Sequence, residues 1–163
     1  MQPTNWSSGQ IGSGSIPRGN SNGSAAMDGT TPLTGVNQRT LTLSNGAIIW
    51  DLAGNVWEWT DVTILGRDQP VSPSPSTWNY YEYTSLLSYG TLSPERLLPL
   101  NSSWNSTQGY GRAHIRSVAT DMTTYAFLRG GYWYNGTSAG VLALRLAYET
   151  SYTYSRFGFR CAQ

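Results

Sequence analysis

The stretch Trp50-Asp51-Leu52-Ala53-Gly54-Asn55-Val56-Trp57-Glu58-Trp59-Thr60 places three indole rings and two carboxylates within eleven consecutive residues. An indole is a large apolar group whose single N–H needs a partner when it is buried, so this stretch is expected to lie in the core. Asp51 and Glu58 stand among these rings, and a charge in such surroundings must be paired or must bind a cation. The stretch therefore predicts a buried segment in which each carboxylate has a specific partner.

The residues before this stretch predict a β-hairpin. Apolar residues between 41 and 43 and between 47 and 50 flank the turn sequence Ser44-Asn45-Gly46, and Asn-Gly between two apolar runs is a strong hairpin signal. Residues 1–38, in contrast, are rich in Ser, Gly, Asn and Pro and predict loop with at most one short strand. Such a segment can become ordered only by docking on the main body, because it has few side chains for a core of its own.

The residues after this stretch, 62–110, predict a long insertion with little regular structure. The insertion contains several prolines, many Ser and Thr, and an aromatic cluster between residues 78 and 83. A short helical turn is predicted near residues 94–98, where a proline precedes Glu, Arg and two leucines. The aromatic side chains are expected to pack the insertion onto the scaffold, and the alternative is that they flank a binding face.

The C-terminal segment 129–162 combines two kinds of position. Leu142, Leu144 and Leu146 alternate with Ala143, Arg145 and Ala147, which is the period of a strand with one buried face. The leucines are predicted to be buried and the odd-numbered residues to point outward. Trp57, Trp59, Trp133 and Phe159 are predicted to form the central core.

Eleven positions in this segment follow no core-forming pattern, and they are rich in Tyr, Ser, Asn and Arg. Five of the eleven tyrosines of the chain fall between residues 132 and 154. Tyrosine offers a large contact area at little cost in rotamer freedom, and this composition is typical of an antibody-like binding surface. The predicted ligand-binding positions are Tyr132, Tyr134, Asn135, Ser138, Arg145, Ala147, Tyr148, Tyr152, Tyr154, Ser155 and Arg156.

The residue types at these positions share a codon relation. Tyr, Ser, Ala, Arg and Phe can each be reached from the Asn codon AAC by changing only its adenines, so Asn135 would be an unaltered template position. Fixed residues surround these positions, as RGG-x-W-x-x-GT-x-AGV-x-AL-x-L from Arg129 and GFRCA from Gly158. This layout resembles the variable region of diversity-generating retroelement proteins, in which a reverse transcriptase copies a template with adenine errors into a gene for a ligand-binding protein.

The segment D-x-x-GNVWEWT at residues 51–60 closely resembles the signature of the formylglycine-generating-enzyme branch of the C-type lectin fold. The RGG-x-W and GFRCA elements of that branch follow in the same order. This resemblance covers the chain from about residue 39 to its end and implies an α+β domain of C-type lectin fold, loop-rich, with short antiparallel strands and few helices. The length of the chain predicts a single domain over residues 1–163. The resemblance to retroelement proteins implies a receptor-binding or adhesive protein whose partner is a protein or glycan on the surface of a host or target cell. Such proteins occur on virus particles, in a tail or fibre, and on microbial cell surfaces.

The resembling enzymes hold calcium with the same acid-x-x-Gly-x-Val-x-Glu spacing. Here the ligands would be the side chains of Asp51 and Glu58 with the carbonyls of Gly54 and Val56, and hard oxygen ligands of this kind suit calcium. The alternative is that the two carboxylates bond to the backbone or to an arginine such as Arg129 or Arg160. A calcium-assisted carbohydrate-binding lectin and a structural tail or fibre module are the alternative functions.

Enzymatic activity is not predicted, and no catalytic residue is assigned. The resembling oxidase uses two active-site cysteines and copper, and the matching positions counted from Gly130-Gly131 are Asn135 and Gly140. Neither residue supplies a thiolate, so the soft copper ligation is lost. Cys161 is the only cysteine. His114, the only histidine, has no neighbouring nucleophile or carboxylate in sequence and is interpreted as structural or exposed.

Composition excludes two further classes of partner. Charged residues make up 12% of the chain and the formal net charge is +1, so no strong field attracts nucleic acid or an anionic membrane. No stretch approaches the roughly 18 apolar residues of a membrane span, so we expect no membrane insertion by this chain. The opening residues also lack the charged and apolar parts of a signal peptide.

Overall fold

The computed structural model describes residues 19–21, 39–42, 45–92 and 105–159. The strands in chain order are β1 (Thr40–Thr42), β2 (Ile48–Trp50), β3 (Trp57–Leu65), β4 (Asn79–Tyr81), β5 (Ala113–Ile115), β6 (Thr124–Gly130), β7 (Gly140–Arg145) and β8 (Phe157–Gly158). Single 3-10 turns occur at Gly66–Asp68, Tyr83–Ser85, Ser106–Gln108 and Gly136–Ser138. Within these ranges no helix is long and apolar enough to cross a membrane.

The balance of strands and helices agrees with the prediction only in part. The described residues form short strands joined by long loops, as predicted, but they contain 3-10 turns and no α-helix. Gly, Pro, Ser and Tyr dominate these loops, and such residues are poor helix formers. The helical part of the predicted α+β architecture is therefore not found in the described part of the chain.

Six of the strands form one sheet in the order β4-β5-β7-β6-β3-β8, and β1 and β2 form a separate two-stranded sheet. The β1–β2 pair confirms the hairpin predicted around Asn45-Gly46. The large sheet is mixed rather than antiparallel as predicted, because β5 pairs with β7 and β3 pairs with β8 in parallel. On the side of β7 opposite β5 lies β6, which pairs with β7 in antiparallel orientation.

The insertion predicted at residues 62–110 contains more regular structure than expected. Residues 62–65 continue β3, and residues 79–81 form β4 at one edge of the sheet. The register of β3 against β6 moves from Trp59↔Leu128 to Thr63↔Ala126, which leaves two extra residues on β3. An even number of extra residues preserves the alternation of side chains on either side of the bulge. The helical turn predicted near residues 94–98 lies outside the described residues.

The two faces of the large sheet carry different side chains. We call one the leucine face, where Leu144 and Leu146 pack in an apolar cluster. Its buried members are Ile64, Tyr83, Leu92, Ala113, Ile115, Tyr125, Phe127, Leu144 and Leu146. We call the other the tyrosine face, where Trp57, Leu128, Tyr132 and Ala143 are buried beneath Trp59, Tyr80, Trp133, Tyr148 and Phe157.

The predicted alternation along β7 is correct for the leucine face and needs one correction on the other. Leu144 and Leu146 are fully buried, whereas Leu142 is only partly buried. Ala143 was predicted to point outward and is fully buried, because Trp57 and Leu128 pack in the same cluster. On the tyrosine face, an aromatic layer therefore separates part of β7 from solvent.

The predicted aromatic core also needs a correction. Trp57 is fully buried, and Trp59 and Trp133 are partly buried at the edge of its cluster. Phe159, however, is 78% exposed. Phe157 occupies the core position instead, with its ring 5.4 Å from Trp59 in an edge-to-face contact. The paired Phe residues of the C-terminal sequence thus differ in role, because β8 ends at Gly158.

Two glycines allow β6, β7 and the preceding loop to approach closely. At Gly140, where φ is 153°, an added Cβ would lie 2.2 Å from the carbonyl oxygen of Gly109. At Gly131, where φ is 89°, an added Cβ would lie 2.6 Å from Cβ of Ala139. Only glycine combines these backbone angles with the missing side chain. The shape of the loop from 131 to 139 therefore depends on these two glycines.

Candidate ligand-binding site

A loop at residues 51–56, ahead of β3, supports the tyrosine face from below. Its first residue, Asp51, has a positive φ of 45° and is buried. The Asp51 carboxylate accepts hydrogen bonds from Nε of Arg39 at 3.0 Å and from the backbone N–H of Asn20 at 3.0 Å. Arg39 is itself buried, so the two opposite charges neutralise each other away from solvent.

This pairing decides between the two sequence interpretations of Asp51. The arginine interpretation is correct, although the partner is Arg39 rather than Arg129 or Arg160. A guanidinium on both carboxylate oxygens would repel a calcium ion at the same place, and the Gly54 carbonyl accepts the Val56 N–H at 2.8 Å. Among the described residues no group of three or more His, Cys, Asp or Glu is placed to hold a metal. The predicted calcium ligands therefore do not fit a calcium ion through Asp51.

The same loop is bonded to the segment that carries the first variable residues. Gly54 N–H donates to the Gly130 carbonyl at 3.0 Å, and Trp133 N–H donates to the Asn55 carbonyl at 3.1 Å. The N-terminal residues Asn20 and Ser21 complete this support, since Asn20 accepts the Asn55 N–H at 2.7 Å and Ser21 accepts the Gly136 N–H at 2.8 Å. For the described residues 19–21, the prediction that the N-terminal part docks on the main body is confirmed.

Arg156 lies at the centre of one half of the tyrosine face. Its guanidinium carbon is 4.6 Å from the ring centroid of Tyr132, 5.3 Å from that of Tyr154 and 5.5 Å from that of Trp133. Its Nη1 donates a hydrogen bond to the Tyr132 hydroxyl at 2.8 Å. A guanidinium stacked on aromatic rings is attracted to their faces and held in plane. Three aromatic residues from two loops thus surround one cation.

A stack of tyrosines adjoins this group. The rings of Tyr148 and Tyr152 are 4.6 Å apart and 29° from parallel, and Tyr154 lies 6.3 Å from Tyr152. Phe157 closes the stack from below, with its ring 4.9 Å from Tyr148 and 5.6 Å from Tyr154. The outer two tyrosines, Tyr152 and Tyr154, are exposed, so their rings are accessible to a ligand.

Arg145 organises the other half of the face together with Tyr80. Arg145 donates to the Tyr80 hydroxyl at 3.0 Å and to the Tyr148 hydroxyl at 3.1 Å. The side-chain nitrogen Nδ2 of Asn135 also donates to the Tyr80 hydroxyl, at 3.0 Å. The side-chain oxygen Oδ1 of Asn135 accepts the Tyr132 N–H at 2.9 Å. Tyr80 therefore receives two hydrogen bonds from predicted variable positions.

Tyr80 is the site residue that sequence reasoning did not single out. It belongs to edge strand β4, within the predicted insertion, and the aromatic cluster around it serves both suggested roles. Tyr83 is fully buried and Trp78 stacks on His114 with ring centroids 5.7 Å apart, so these two pack the insertion onto the sheet. Tyr80 belongs to the tyrosine face instead, and the alternation along residues 79–81, which separates it from Tyr81 on the leucine face, is the signal that could have identified it.

Not every predicted position is accessible. Tyr132 is only 9% exposed and Ser138 only 8% exposed, which corrects their prediction as outward-facing residues. Tyr132 lies beneath Arg156, and the Ser138 carbonyl accepts the Arg112 N–H at 3.2 Å, away from the tyrosines. Tyr134 is 66% exposed and contacts the edge of Trp133. Ser155 is exposed and Ala147 partly buried, while residues 160–162 of the predicted variable region lie outside the described residues.

His114 is partly buried between aromatic rings, which agrees with the first of the two alternatives, structural or exposed, that the sequence left open. Its ring lies 4.5 Å from that of Tyr80 and parallel to that of Trp78. Burial, together with the charge of Arg145, lowers the pKa of His114 to about 3. Burial also raises the pKa of Tyr80 above its usual value. Both groups are uncharged at neutral pH, so the two arginines dominate the charge of this face.

Comparison with known families supports the signature at residues 51–60. The sequence matches the FGE-sulfatase family, the sulfatase-modifying factor enzyme 1-like domain, over residues 1–163. The chain belongs to this family. Comparison with curated proteins and with solved structures gave no match. The sequence of this FGE-sulfatase domain has one cysteine, Cys161.

Proposed function

We propose that this FGE-sulfatase domain is a non-enzymatic ligand-binding protein of C-type lectin fold, diversified by a retroelement, whose tyrosine face binds a target on another cell. One observation carries the proposal. Eight of the eleven positions that the sequence marked as variable join Trp133 and Tyr80 in one continuous chain of contacts. The eight are Tyr132, Tyr134, Asn135, Arg145, Tyr148, Tyr152, Tyr154 and Arg156.

The chemistry of this face suits binding better than catalysis. Exposed aromatic rings and arginines are the residue types that supply most of the affinity in protein interfaces. Invariant residues support them from below, since Trp57, Leu128 and Ala143 form the buried layer and the loop at 51–56 bonds to the backbone at Gly130 and Trp133. The outer side chains can therefore change while the backbone keeps its shape. The target would be a protein or glycan, and the protein would act on a virion or a microbial surface.

A binding experiment with matched variants tests the proposal. One variant carries Tyr134→Asn, Tyr152→Asn and Tyr154→Asn, and the control carries Ile48→Asn, Leu87→Asn and Met122→Asn, which are exposed apolar residues away from the tyrosine face. Both proteins and the parent are labelled and bound to a panel of microbial cells in flow cytometry. We expect the tyrosine variant to lose about tenfold or more in affinity, because each anchor of an interface contributes about 2 kcal/mol. Equal loss in the control variant, or none in the tyrosine variant, would refute the proposal.

The retroelement part of the proposal has a separate test in the DNA around the gene. We expect a near-copy of the codons for residues 129–162 with adenines at the variable codons, beside a reverse transcriptase gene. Independent isolates should differ at the eleven positions and agree at the glycines and tryptophans between them. Isolates that vary equally at both sets of positions would contradict targeted diversification, and the binding result would stand or fall by itself.

A further inference from the structure

Six of the seven arginines of the described residues divide into two groups by partner, and the seventh, Arg129, donates to the Leu142 carbonyl on the leucine side of the sheet. Four of them form ion pairs with carboxylates, and all four lie outside the variable positions. These pairs are Arg39 with Asp51, Arg67 with Asp68, Arg112 with Glu82 and Arg116 with Asp121. Arg145 and Arg156 form no ion pair with any described Asp or Glu, and their hydrogen bonds in the described part of the chain go to tyrosine hydroxyls. No carboxylate of the described residues therefore compensates the positive charges of the two arginines of the tyrosine face.

The surroundings of Arg156 prepare its guanidinium for an anion. The rings of Tyr132, Tyr154 and Trp133 hold the group in place, and only Nη1 donates to a described residue. A planar guanidinium presents two parallel N–H groups to a carboxylate, and such bidentate bonds are among the stronger polar contacts of proteins. Because the side chain is already fixed by the rings, less rotamer freedom is lost when an anion binds.

The C-terminal part of the face, residues 130–159, has little negative charge of its own. Between residues 130 and 159 the only acidic residue is Glu149, which is exposed in the turn after Tyr148. Arg145 lies 4.7 Å from the ring centroid of Tyr148, so the second cation borders the same tyrosine stack. A ligand that fits this charge distribution carries negative charge opposite the two arginines.

We propose that the tyrosine face of this protein binds an acidic protein segment, with a ligand carboxylate bonded to Arg156 and a second acidic group near Arg145. This inference rests on the function proposed above and specifies its ligand. A protein segment with acidic side chains fits better than a neutral sugar, because a neutral sugar has no negative charge to place opposite the two arginines. The exposed rings of Tyr134, Tyr152 and Tyr154 can pack on apolar side chains beside the acid.

The test is selection from a random peptide library displayed on phage, using the whole chain. The parent, Arg156→Gln, Arg156→Lys and the control Arg67→Gln, whose arginine is exposed and far from the tyrosines, are each used as bait. We expect peptides selected by the parent and by Arg67→Gln to be enriched in Asp and Glu, and this enrichment to disappear with Arg156→Gln. For one selected peptide, affinity should fall about tenfold or more in Arg156→Gln and by less in Arg156→Lys, which keeps the charge but not the planar fork. Melting curves of the four proteins establish that each is folded.

Three outcomes would overturn the inference. Selected peptides without acidic enrichment, or equal affinity of the parent and Arg156→Gln, would leave the tyrosine face as a binding site for ligands of another chemistry. Binding of an acidic oligosaccharide such as oligogalacturonate, with no selected peptide, would replace the protein segment with a glycan. Selection of the same peptides by the folded Tyr134→Asn, Tyr152→Asn, Tyr154→Asn variant would contradict the proposed function itself, because recognition would then lie elsewhere.

Discussion

Strand β7 has a leucine face and a tyrosine face, and neighbouring residues on it are held by different kinds of interaction. Leu144 is fully buried among apolar side chains, where stability depends on filled volume and on area removed from water. Arg145, the next residue, is partly buried and is held by two tyrosine hydroxyls and an aromatic ring. Contacts of the second kind near solvent contribute little individually. A protein built this way can exchange residues on one side of a strand while the other side maintains the fold.

The contrast applies to the outer layer of the tyrosine face and not to the buried layer beneath it, which we call the foundation. Trp57 and Ala143 lie on the same side of the sheet as Arg145, yet both are fully buried. Beneath the loop from 130 to 136, the Gly54 N–H donates to the Gly130 carbonyl and the Asn55 carbonyl accepts the Trp133 N–H. The tyrosine face therefore has a buried layer and an outer layer. Substitutions in each layer measure how much each contributes to stability.

The largest effect is expected from Trp57→Ala. Trp57 is the largest fully buried side chain of the foundation, and large-to-small changes of an aromatic core residue cost about 3–5 kcal/mol in the free energy of unfolding. Denaturant titration of the two proteins measures the difference. A loss below about 1 kcal/mol, the range of ordinary surface changes, would mean that the tyrosine face has no buried foundation.

A slightly smaller effect is expected from Asp51→Asn. Removing one partner of a buried ion pair leaves the other charge uncompensated, which costs about 3–5 kcal/mol, and asparagine still accepts the Asn20 N–H, so we expect the lower end. Because Asp51 supports the loop below Trp133, the change should also weaken ligand binding at the tyrosine face. Arg67→Gln, at an exposed ion pair, should alter neither property. Stability close to that of the parent would show that Arg39 and Asp51 do not form the pair.

Calcium offers an independent test of the same carboxylate. If Arg39 occupies both oxygens of Asp51, calcium has no preferential site in the native state and cannot raise the melting temperature by mass action. We expect coincident melting curves with calcium and with a chelator. A rise with calcium that Glu58→Gln abolishes would restore the metal site implied by the sequence resemblance.

Sequence alone predicted the parts of this molecule that depend on local pattern. The hairpin around Asn45-Gly46, the burial of Leu144 and Leu146, and the burial of Trp57 follow from turn chemistry, strand period and side-chain size, and all are found in the structure. The assignment of ligand-binding positions between residues 132 and 156 rests on their composition and stays a prediction. The family match over the whole chain agrees with the signature at 51–60.

Sequence could not predict the features that depend on which strands become neighbours. Ala143 is buried because Trp57, from a strand distant in sequence, covers it, and alternation along one strand does not reveal a second covering layer. Tyr80 joins the site because β4 pairs with β5 at the edge of the sheet. Asp51 forms its ion pair with Arg39, across the hairpin, and not with an arginine of the C-terminal segment. In each case the partner lies on an element whose place in the sheet is not encoded locally.

The pH dependence of stability is expected to report the buried side of the tyrosine face. The pKa of His114 is lowered from 6.5 to about 3 by burial and by the charge of Arg145. Between these values the unfolded chain binds a proton that the native protein does not, so stability decreases as the pH falls from about 6.5 toward 3. We expect His114→Gln to lose less stability than the parent between about pH 7 and about pH 4.5.

Carboxylates titrate in the same pH range, but they are present in both proteins and cancel in this comparison. Denaturant titrations at the two pH values measure the change for the parent and for His114→Gln. Identical losses in the two proteins would show that His114 titrates as it does in the unfolded chain, and that the rings of Trp78 and Tyr80 leave it open to solvent.

The smallest effect is expected from Tyr152→Asn, which introduces the proposed template residue at a position predicted to be variable. Tyr152 is 44% exposed, and its main contact is the stack on Tyr148 at 4.6 Å, so we expect a loss of about 0.5–1 kcal/mol, within the range for an aromatic pair. The same substitution at Tyr83, which is fully buried on the leucine face and donates to the Leu142 carbonyl, should cost about 3 kcal/mol or more. Denaturant titration of the two variants compares the faces with one chemical change. Equal losses in the free energy of unfolding would place Tyr152 in the core. Tyr152 could then not belong to a surface that varies without affecting the fold.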